Sequence, residues 1–139
     1  AWSSATPIFD DENLVSCAGL APVMGLAEQT GLSQLLKEKV RLDSVRVASA
    51  GVNPAGKITT IIAGMAAGAD SIDDLDVVRA GGMKTLFDDV YGPSPIGTLL
   101  REFTFGHARQ LESVLREHLA RLCQRVDLLP GADTGAFID

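Results

Sequence analysis

The chain has 139 residues, of which 46% are hydrophobic, 22% charged and 5% aromatic, and its formal net charge at pH 7 is −6. This length and composition indicate one globular domain with a buried core, and the scarcity of aromatic residues favours helices over a β-sandwich or β-barrel. The negative charge argues against a protein that binds nucleic acid over most of its surface, because such proteins neutralise phosphates with a basic face.

The sequence gives no signal for secretion, membrane insertion or disulfide formation. The first 20 residues contain three acidic residues and no basic start, so we expect no secretory signal. The longest apolar run, residues 58–69, is too short to cross a bilayer. Cys17 and Cys123 lie far apart and form no Cys-x-x-Cys motif, so we expect two reduced, buried thiols in a cytoplasmic protein rather than a disulfide or metal site.

The predicted elements begin with an extended arm over residues 1–13. About seven helices follow, over residues 20–30, 33–40, 54–68, 71–79, 83–90, 96–103 and 106–126. Gly31 separates the first two helices, and Asn53 with Pro54 forms a cap followed by a proline at the first helical position. These signals predict an all-α fold, an irregular bundle of about seven helices that contains helix-turn-helix-like hairpins.

The later elements are read from similar signals. Ser71 and Asp74 form a weak capping box, and the glycines at 81–82 are expected to end the helix that it begins. Ser94 is predicted to cap the sixth helix and Thr104 the last. The apolar face of the last helix is expected to be a stripe of six residues, Ala108, Leu111, Leu115, Leu119, Leu122 and Val126.

The end of the chain is predicted to leave the helical bundle. Residues 128–134 contain Pro130 and Gly131, which are typical of a linker, and a short strand is expected at 136–139. The predicted organisation is therefore an N-terminal arm (1–13), a helical domain (14–127), and a linker with the first residues of a further domain (128–139).

Two hairpins resemble helix-turn-helix units. The first covers residues 23–39 and turns at Gly31, but helical hairpins with glycine turns are common in proteins that bind no DNA. The second covers residues 94–121, and it places His107, Arg109 and Gln110 in the first turns of its longer helix, where recognition helices contact bases. The alternative is that these three residues pack and solvate an amphipathic helix.

Charge along the chain favours the later helices as a DNA surface. Residues 70–89 contain six aspartates, whereas residues 94–126 carry five arginines, including Arg101, against three glutamates. Lys57 is a further candidate for a phosphate contact, with a solvated lysine as the alternative. His118 is expected to be a hydrogen-bonded, half-buried histidine, and the aspartates near residue 70 are expected to favour a helix start rather than bind metal.

Several sequence words carry a family resemblance. They are Ala69-Asp70-Ser71-Ile72-Asp73-Asp74, Arg79-Ala80-Gly81-Gly82-Met83, Pro93-Ser94 with Gly97-Thr98, and Phe103-Thr104-Phe105-Gly106-His107 running on to Arg109-Gln110-Leu111. In this order, between residues 69 and 111, they resemble the region that precedes the catalytic domain of bacterial insertion-sequence transposases of the DDE type (DDE domain group 1).

The resemblance implies a function. In that family a strand reading roughly Asp-x-Asp-Asp-Thr follows this region and carries the first catalytic carboxylate, so Asp139 would open that word. The family's three carboxylates hold two divalent ions, Mg²⁺ or Mn²⁺, for attack on DNA. As this fragment the chain is expected to be no enzyme and to need no cofactor.

The resemblance also implies partners. The domain would bind double-stranded DNA, the terminal repeats of the transposon, through Lys57, Arg101, His107, Arg109 and Gln110, and would form homo-oligomers in the bacterial cytoplasm at the nucleoid. The alternative is a protein-interaction module that mediates dimerisation with little DNA contact. A small helical regulator outside the family is a third, weaker alternative.

Overall fold

The structure is a computed structural model that describes residues 13–43, 46–87 and 89–126. Over those ranges the protein is all-α, as predicted, and contains no strand. The α-helices in the described ranges are α1 (Leu20–Gln29), α2 (Leu32–Lys39), α3 (Pro54–Ala66), α4 (Pro93–Arg101) and α5 (Phe105–Arg125). Short 3-10 helices occur at Ala48–Gly51, Asp73–Val78 and Gly81–Thr85. The predicted strand at 136–139 and the arm before residue 13 lie outside the described residues.

Local signals set the boundaries of the first three helices. Gly31 has a φ of 86°, a left-handed conformation that glycine adopts without strain, and it turns the chain from α1 into α2. Asn53 caps α3, because its side-chain oxygen accepts a hydrogen bond from the N–H of Gly56 at 3.1 Å. Pro54 occupies the first turn of α3. These features confirm the predictions made from the sequence.

The helices predicted over residues 71–79 and 83–90 are present in part, but they are shorter than predicted and are 3-10 helices instead of α-helices. The chain forms two short 3-10 helices there, Asp73–Val78 and Gly81–Thr85. Gly81 and Gly82 therefore begin the second of these helices instead of ending the first. Gly82 is buried, and its N–H donates to the carbonyl of Leu14 at 2.9 Å, which ties this helix to the segment before α1.

The first 3-10 helix does carry the hydrogen bonds of a capping box. The N–H of Ser71 donates to Asp74 Oδ2 at 3.1 Å, and the N–H of Asp74 donates to Ser71 Oγ at 3.3 Å. Three residues per turn place Leu75 and Val78 on one side of the helix, and both are buried. Aspartate and valine are poor α-helix formers, whereas the 3-10 winding places Leu75 and Val78 together in the core.

The start of α4 also differs from the prediction. Gly92 is the N-cap and Pro93 the first helical residue, so Ser94 lies inside the helix instead of capping it. The proline explains the shift, because its fixed φ is already helical and its missing N–H has no role in the first turn.

Two apolar clusters form the core. The larger cluster joins α2, α3, α4 and α5 through Leu32, Leu35, Leu36, Val40, Leu42, Ala55, Ile58, Leu99 and Val114. The smaller cluster joins α1 and α3 to the 3-10 helices through Leu20, Met24, Ala63, Val78 and Met83. Helix α3 contributes to both clusters and is the centre of the fold.

Helix α5 packs on α2 with a different face from the one predicted. Val114 is its one buried residue, while Leu115 and Leu119 are 64% and 51% exposed. The prediction of a buried stripe is therefore wrong for these residues. The leucine spacing is helical, but the α1–α2 hairpin lies against the side of α5 that carries Val114 and His118. We call the exposed apolar residues Phe105, Ala108, Leu115 and Leu119 the outer stripe.

Polar contacts attach α5 to the α1–α2 hairpin, and we call them the polar seam. His118 Nε2 lies 2.7 Å from Thr30 Oγ1, and Lys39 Nζ lies 2.8 Å from Glu117 Oε2. The remaining members of the seam are Ser113, which accepts from Lys39, and Arg125, which donates to Gln29. As expected, His118 is half-buried and hydrogen-bonded.

Candidate nucleic-acid interface

The turn between α4 and α5 is built around a histidine cap. Thr104 precedes α5, as predicted, and its backbone N–H donates to His107 Nδ1 at 3.0 Å. Nδ1 therefore carries no hydrogen of its own. The His107 ring also stacks obliquely on Phe103, with centroids 5.4 Å apart. Since His107 caps the helix and packs on its neighbour, only its Nε2 edge remains for a ligand.

Two arginines beside this turn are exposed. Arg101 ends α4 and donates to Thr98 Oγ1 at 3.2 Å on its own helix. Arg109 lies in the first part of α5, pairs with Glu112 at 3.0 Å, and keeps 61% of its side chain exposed. An exposed ion pair of this kind contributes little and is readily exchanged for a phosphate. The hairpin thus presents two accessible guanidinium groups, one from each helix.

Gln110 is half-buried and has an internal partner. Its Oε1 accepts a hydrogen bond from the backbone N–H of Arg41 at 2.8 Å, which ties α5 to the segment after α2. Its amide nitrogen is the atom left for a base or phosphate. Gln110 therefore helps to hold α5 in place, in addition to the DNA contact predicted from the sequence.

Lys57 is buried, and the prediction that it contacts a DNA phosphate does not fit its position. The side chain is 2% exposed, and Nζ donates to the carbonyls of Ser49 and Ala50 at 2.6 and 3.3 Å. Nζ also lies 5.6 Å from the centroid of the Tyr91 ring. Burial lowers the pKa of Lys57. The ammonium group ties the 3-10 helix Ala48–Gly51 to α3 and is not presented to a ligand.

Two arginines from the end of α5 lie against the α1–α2 hairpin, a grouping that the sequence pattern does not predict. Arg121 lies against Gly31, and Arg125 donates to the backbone and side-chain oxygens of Gln29 at 3.3 and 3.2 Å. Lys37 is exposed on the second helix of the hairpin. The sequence carries no signal for this grouping, because about 90 residues separate the hairpin from the end of α5.

The remaining candidates have local explanations. Hydrogen bonds from Ser71 lower the pKa of Asp74, and Asp76 pairs with Arg79 at 2.7 Å. No group of three or more potential metal ligands occurs in the described part of the chain. Cys17 and Cys123 are each half-buried, so the prediction that both are buried is wrong. Asp139 lies outside the described residues.

Comparisons with known proteins add no neighbour to this picture. Compared with protein-family models, with curated proteins and with solved structures, the chain matches none of them. Among the helices that the structure describes, none combines the length and the apolar character needed to span a membrane.

Proposed function

We propose that this chain is the helical front part of a DDE transposase and that it binds the double-stranded DNA of the transposon ends. The resemblance in the words between residues 69 and 111 motivates the proposal. The all-α fold agrees with it, and so do the two helical hairpins. Such a protein would act at the nucleoid in the bacterial cytoplasm.

The α4–α5 hairpin is the observation that carries the DNA-binding part of the proposal. Three residues join the two helices, which is typical of helix-turn-helix units. Arg101 and Arg109 are exposed on either side of this turn. Guanidinium groups form the strongest contacts with phosphate and with guanine edges, so a duplex would be held across the turn.

Arg109 is expected to contribute more than Arg101. Arg101 lines a shallow depression together with Asp73, so a carboxylate offsets part of its charge. Arg109 shares its helix face with Arg116, and Glu112 is the one carboxylate near both. Arg109 also lies near the start of α5, where backbone N–H groups and the helix dipole favour a phosphate.

The test compares Arg109→Ala with Arg116→Ala. Both arginines are exposed on α5 and both pair with Glu112, so they form a matched pair that differs in distance from the turn. Binding to duplexes of the flanking terminal repeats and to scrambled duplexes is followed by fluorescence anisotropy over a range of salt. Arg109→Ala is expected to weaken binding about fivefold and to lower the salt slope by about 1, whereas Arg116→Ala changes binding little. Equal effects, or equal affinity for scrambled DNA, would contradict the proposal.

For the whole protein, the resemblance leads us to propose metal-dependent DNA strand transfer. Three carboxylates would hold two Mg²⁺ or Mn²⁺ ions, and Asp139 would belong to the word that carries the first of them. This fragment would then supply DNA binding and assembly, and the residues of the catalytic domain would supply the chemistry.

The outer stripe favours a second function, assembly of the protein with copies of itself. Phe105 is 81% exposed and Leu115 is 64% exposed, values that large apolar side chains on one helix face rarely share without a partner. Light scattering over a range of protein concentration tests this function. A mass that stays at one chain at the highest concentration would contradict it.

A further inference from the structure

A second apolar surface lies outside the outer stripe. Residues of α3, of the loop before the 3-10 helix Asp73–Val78 and of α4 line an open groove of about 350 Å³. Ile96 and Leu75 form its buried floor. Its banks carry exposed apolar side chains, and Met65, Ile72 and Leu100 are 67%, 37% and 40% exposed. We call this surface the α3–α4 groove.

The rim of the groove is acidic. Asp70 lines the groove, and Asp73 and Asp74 are exposed directly beside it. Arg101 follows Leu100 on α4 and lines a neighbouring depression together with Asp73. Among the described residues, none of these three aspartates forms an ion pair. The nearby Arg79 pairs with Asp76.

The outer stripe has the opposite character. Its leucines recur on one face of a helix, and the charged residues along this face are Arg109, Arg116 and Glu112. Glu112 lies 3.0 Å from one arginine and 3.9 Å from the other, so two guanidinium groups share a single carboxylate. An apolar helix face with a basic margin is the complement of an apolar groove with an acidic rim.

The stripe and the groove lie on different layers of the fold. The groove is formed on α3 and α4, whereas α5 packs on α2 and turns the stripe away from the core. Helix α2 lies between α3 and α5, since it contacts both. A stripe could therefore meet a groove only on another molecule.

We propose that the outer stripe of one copy docks in the α3–α4 groove of a second copy, as a helix-in-groove contact between two different faces of the same chain. This contact deepens the assembly function proposed above and names its partner surface. It is heterologous, so each bound pair keeps one free stripe and one free groove, and further chains add until a ring closes or a filament forms. Leu115 and Leu119 would enter the groove, and the arginines would face Asp70 and Asp73.

The first measurement is sedimentation equilibrium of the chain without DNA, from about 10 µM to about 1 mM, a range suited to weak self-association. The average mass is expected to rise beyond that of two chains. Raising NaCl from about 0.05 to about 0.5 M is expected to weaken association several-fold, because salt screens the exposed charges. A mass that levels off at two chains would overturn the proposal.

The decisive measurement mixes two variants. The stripe variant carries Leu115→Glu with Leu119→Glu, and the groove variant carries Met65→Glu with Leu100→Glu. Each is expected to be a monomer alone, because each lacks one of the two surfaces. Mixed in equal amounts, they are expected to form a 1:1 pair that stops at two chains, since one intact stripe meets one intact groove and the remaining surfaces are blocked.

Controls separate the possible outcomes. Val23→Glu alters an exposed apolar residue on α1 outside both surfaces, and it is expected to leave association unchanged. Circular dichroism of every variant checks that the fold is retained. Self-association of the groove variant alone would keep the assembly function but overturn the head-to-tail contact. A monomer under all conditions would overturn both.

Discussion

Helices α3 and α5 are attached to the rest of the fold in opposite ways. Helix α3 has 13 residues, six of them buried, whereas α5 has 21 residues and a single buried one, Val114. The longer helix is held along the polar seam by hydrogen bonds and one ion pair, Lys39–Glu117, to the α1–α2 hairpin. The comparison shows that helix length does not indicate how much a helix contributes to the core, and it explains how α5 keeps an apolar face exposed.

The largest expected effect on stability comes from truncating a leucine to alanine in the core, compared with the same truncation on the outer stripe. Leu35 is completely buried between α2 and its neighbours, so Leu35→Ala should lower the free energy of unfolding by about 3 kcal/mol through lost burial and a cavity. The matched change Leu115→Ala removes an exposed side chain and should cost less than about 0.5 kcal/mol. Urea unfolding followed by circular dichroism measures both. Similar losses at the two positions would show that the outer stripe is buried within the monomer.

The next effect concerns the buried lysine of α3. Lys57→Met keeps the side-chain volume but leaves the carbonyls of Ser49 and Ala50 without their donor. The free energy of unfolding at pH 7 should therefore fall by about 2 kcal/mol. Lys84→Met, at an exposed lysine, is the matched control and should change stability by less than about 0.5 kcal/mol.

The pH dependence of Lys57 sharpens this test. Its folded-state pKa is lowered by burial, so between that pKa and the ordinary value of 10.5 the unfolded chain binds a proton that the folded chain does not. The stability of the native sequence should therefore rise relative to Lys57→Met as the pH increases through this window. Below the lowered pKa the difference should not depend on pH. If the difference in the free energy of unfolding between the native sequence and Lys57→Met narrowed with increasing pH, the burial of Lys57 would be contradicted.

The contrast between α3 and α5 also separates what the sequence could predict from what it could not. The start of α3 at Asn53, the turn at Gly31 and the cap at Thr104 depend on neighbouring residues, and the structure confirms them. The orientation of α5 depends on which neighbour covers which face. The spacing of Leu115 and Leu119 gives a helical period but not that choice.

In the candidate site, too, features set by neighbouring residues could be predicted and features set by packing could not. The exposure of Arg101 and Arg109 follows from their places on amphipathic helices. The burial of Lys57 depends on a 3-10 helix several residues upstream, and the seam joins residues about 90 positions apart, so single-sequence patterns contain no signal for either. The capping box at Ser71 and Asp74 indicates a helix start but not the winding that follows, which is 3-10 instead of α.

The polar seam is expected to show a smaller effect. Thr30 Oγ1 donates to a backbone carbonyl of α1 at 2.9 Å, so it accepts the proton of His118 Nε2. Thr30→Val removes this acceptor and should cost about 1 kcal/mol, because a half-buried N–H loses its partner. A double-mutant cycle with His118→Leu should give a coupling energy of about 1 kcal/mol. Additive effects of the two changes would indicate that the contact contributes nothing to the attachment of α5.

The smallest effect is expected from Glu117, and it should depend on pH. Hydrogen bonds from Lys39 and then from Arg121 lower its folded-state pKa below the ordinary value of 4.5. A lowered carboxylate pKa contributes stability above pH 4.5, and that contribution is lost as the pH falls through the folded-state pKa. Thermal unfolding of Glu117→Gln should therefore begin at a lower temperature than that of the native sequence at neutral pH, and the two curves should converge in acid. Glu112→Gln is the matched control on the exposed face of α5, where the partners are surface arginines and no other helix is attached. If both substitutions lowered the unfolding temperature equally, the seam would not fix α5. The exposure of the outer stripe would then have to be explained by a mobile helix.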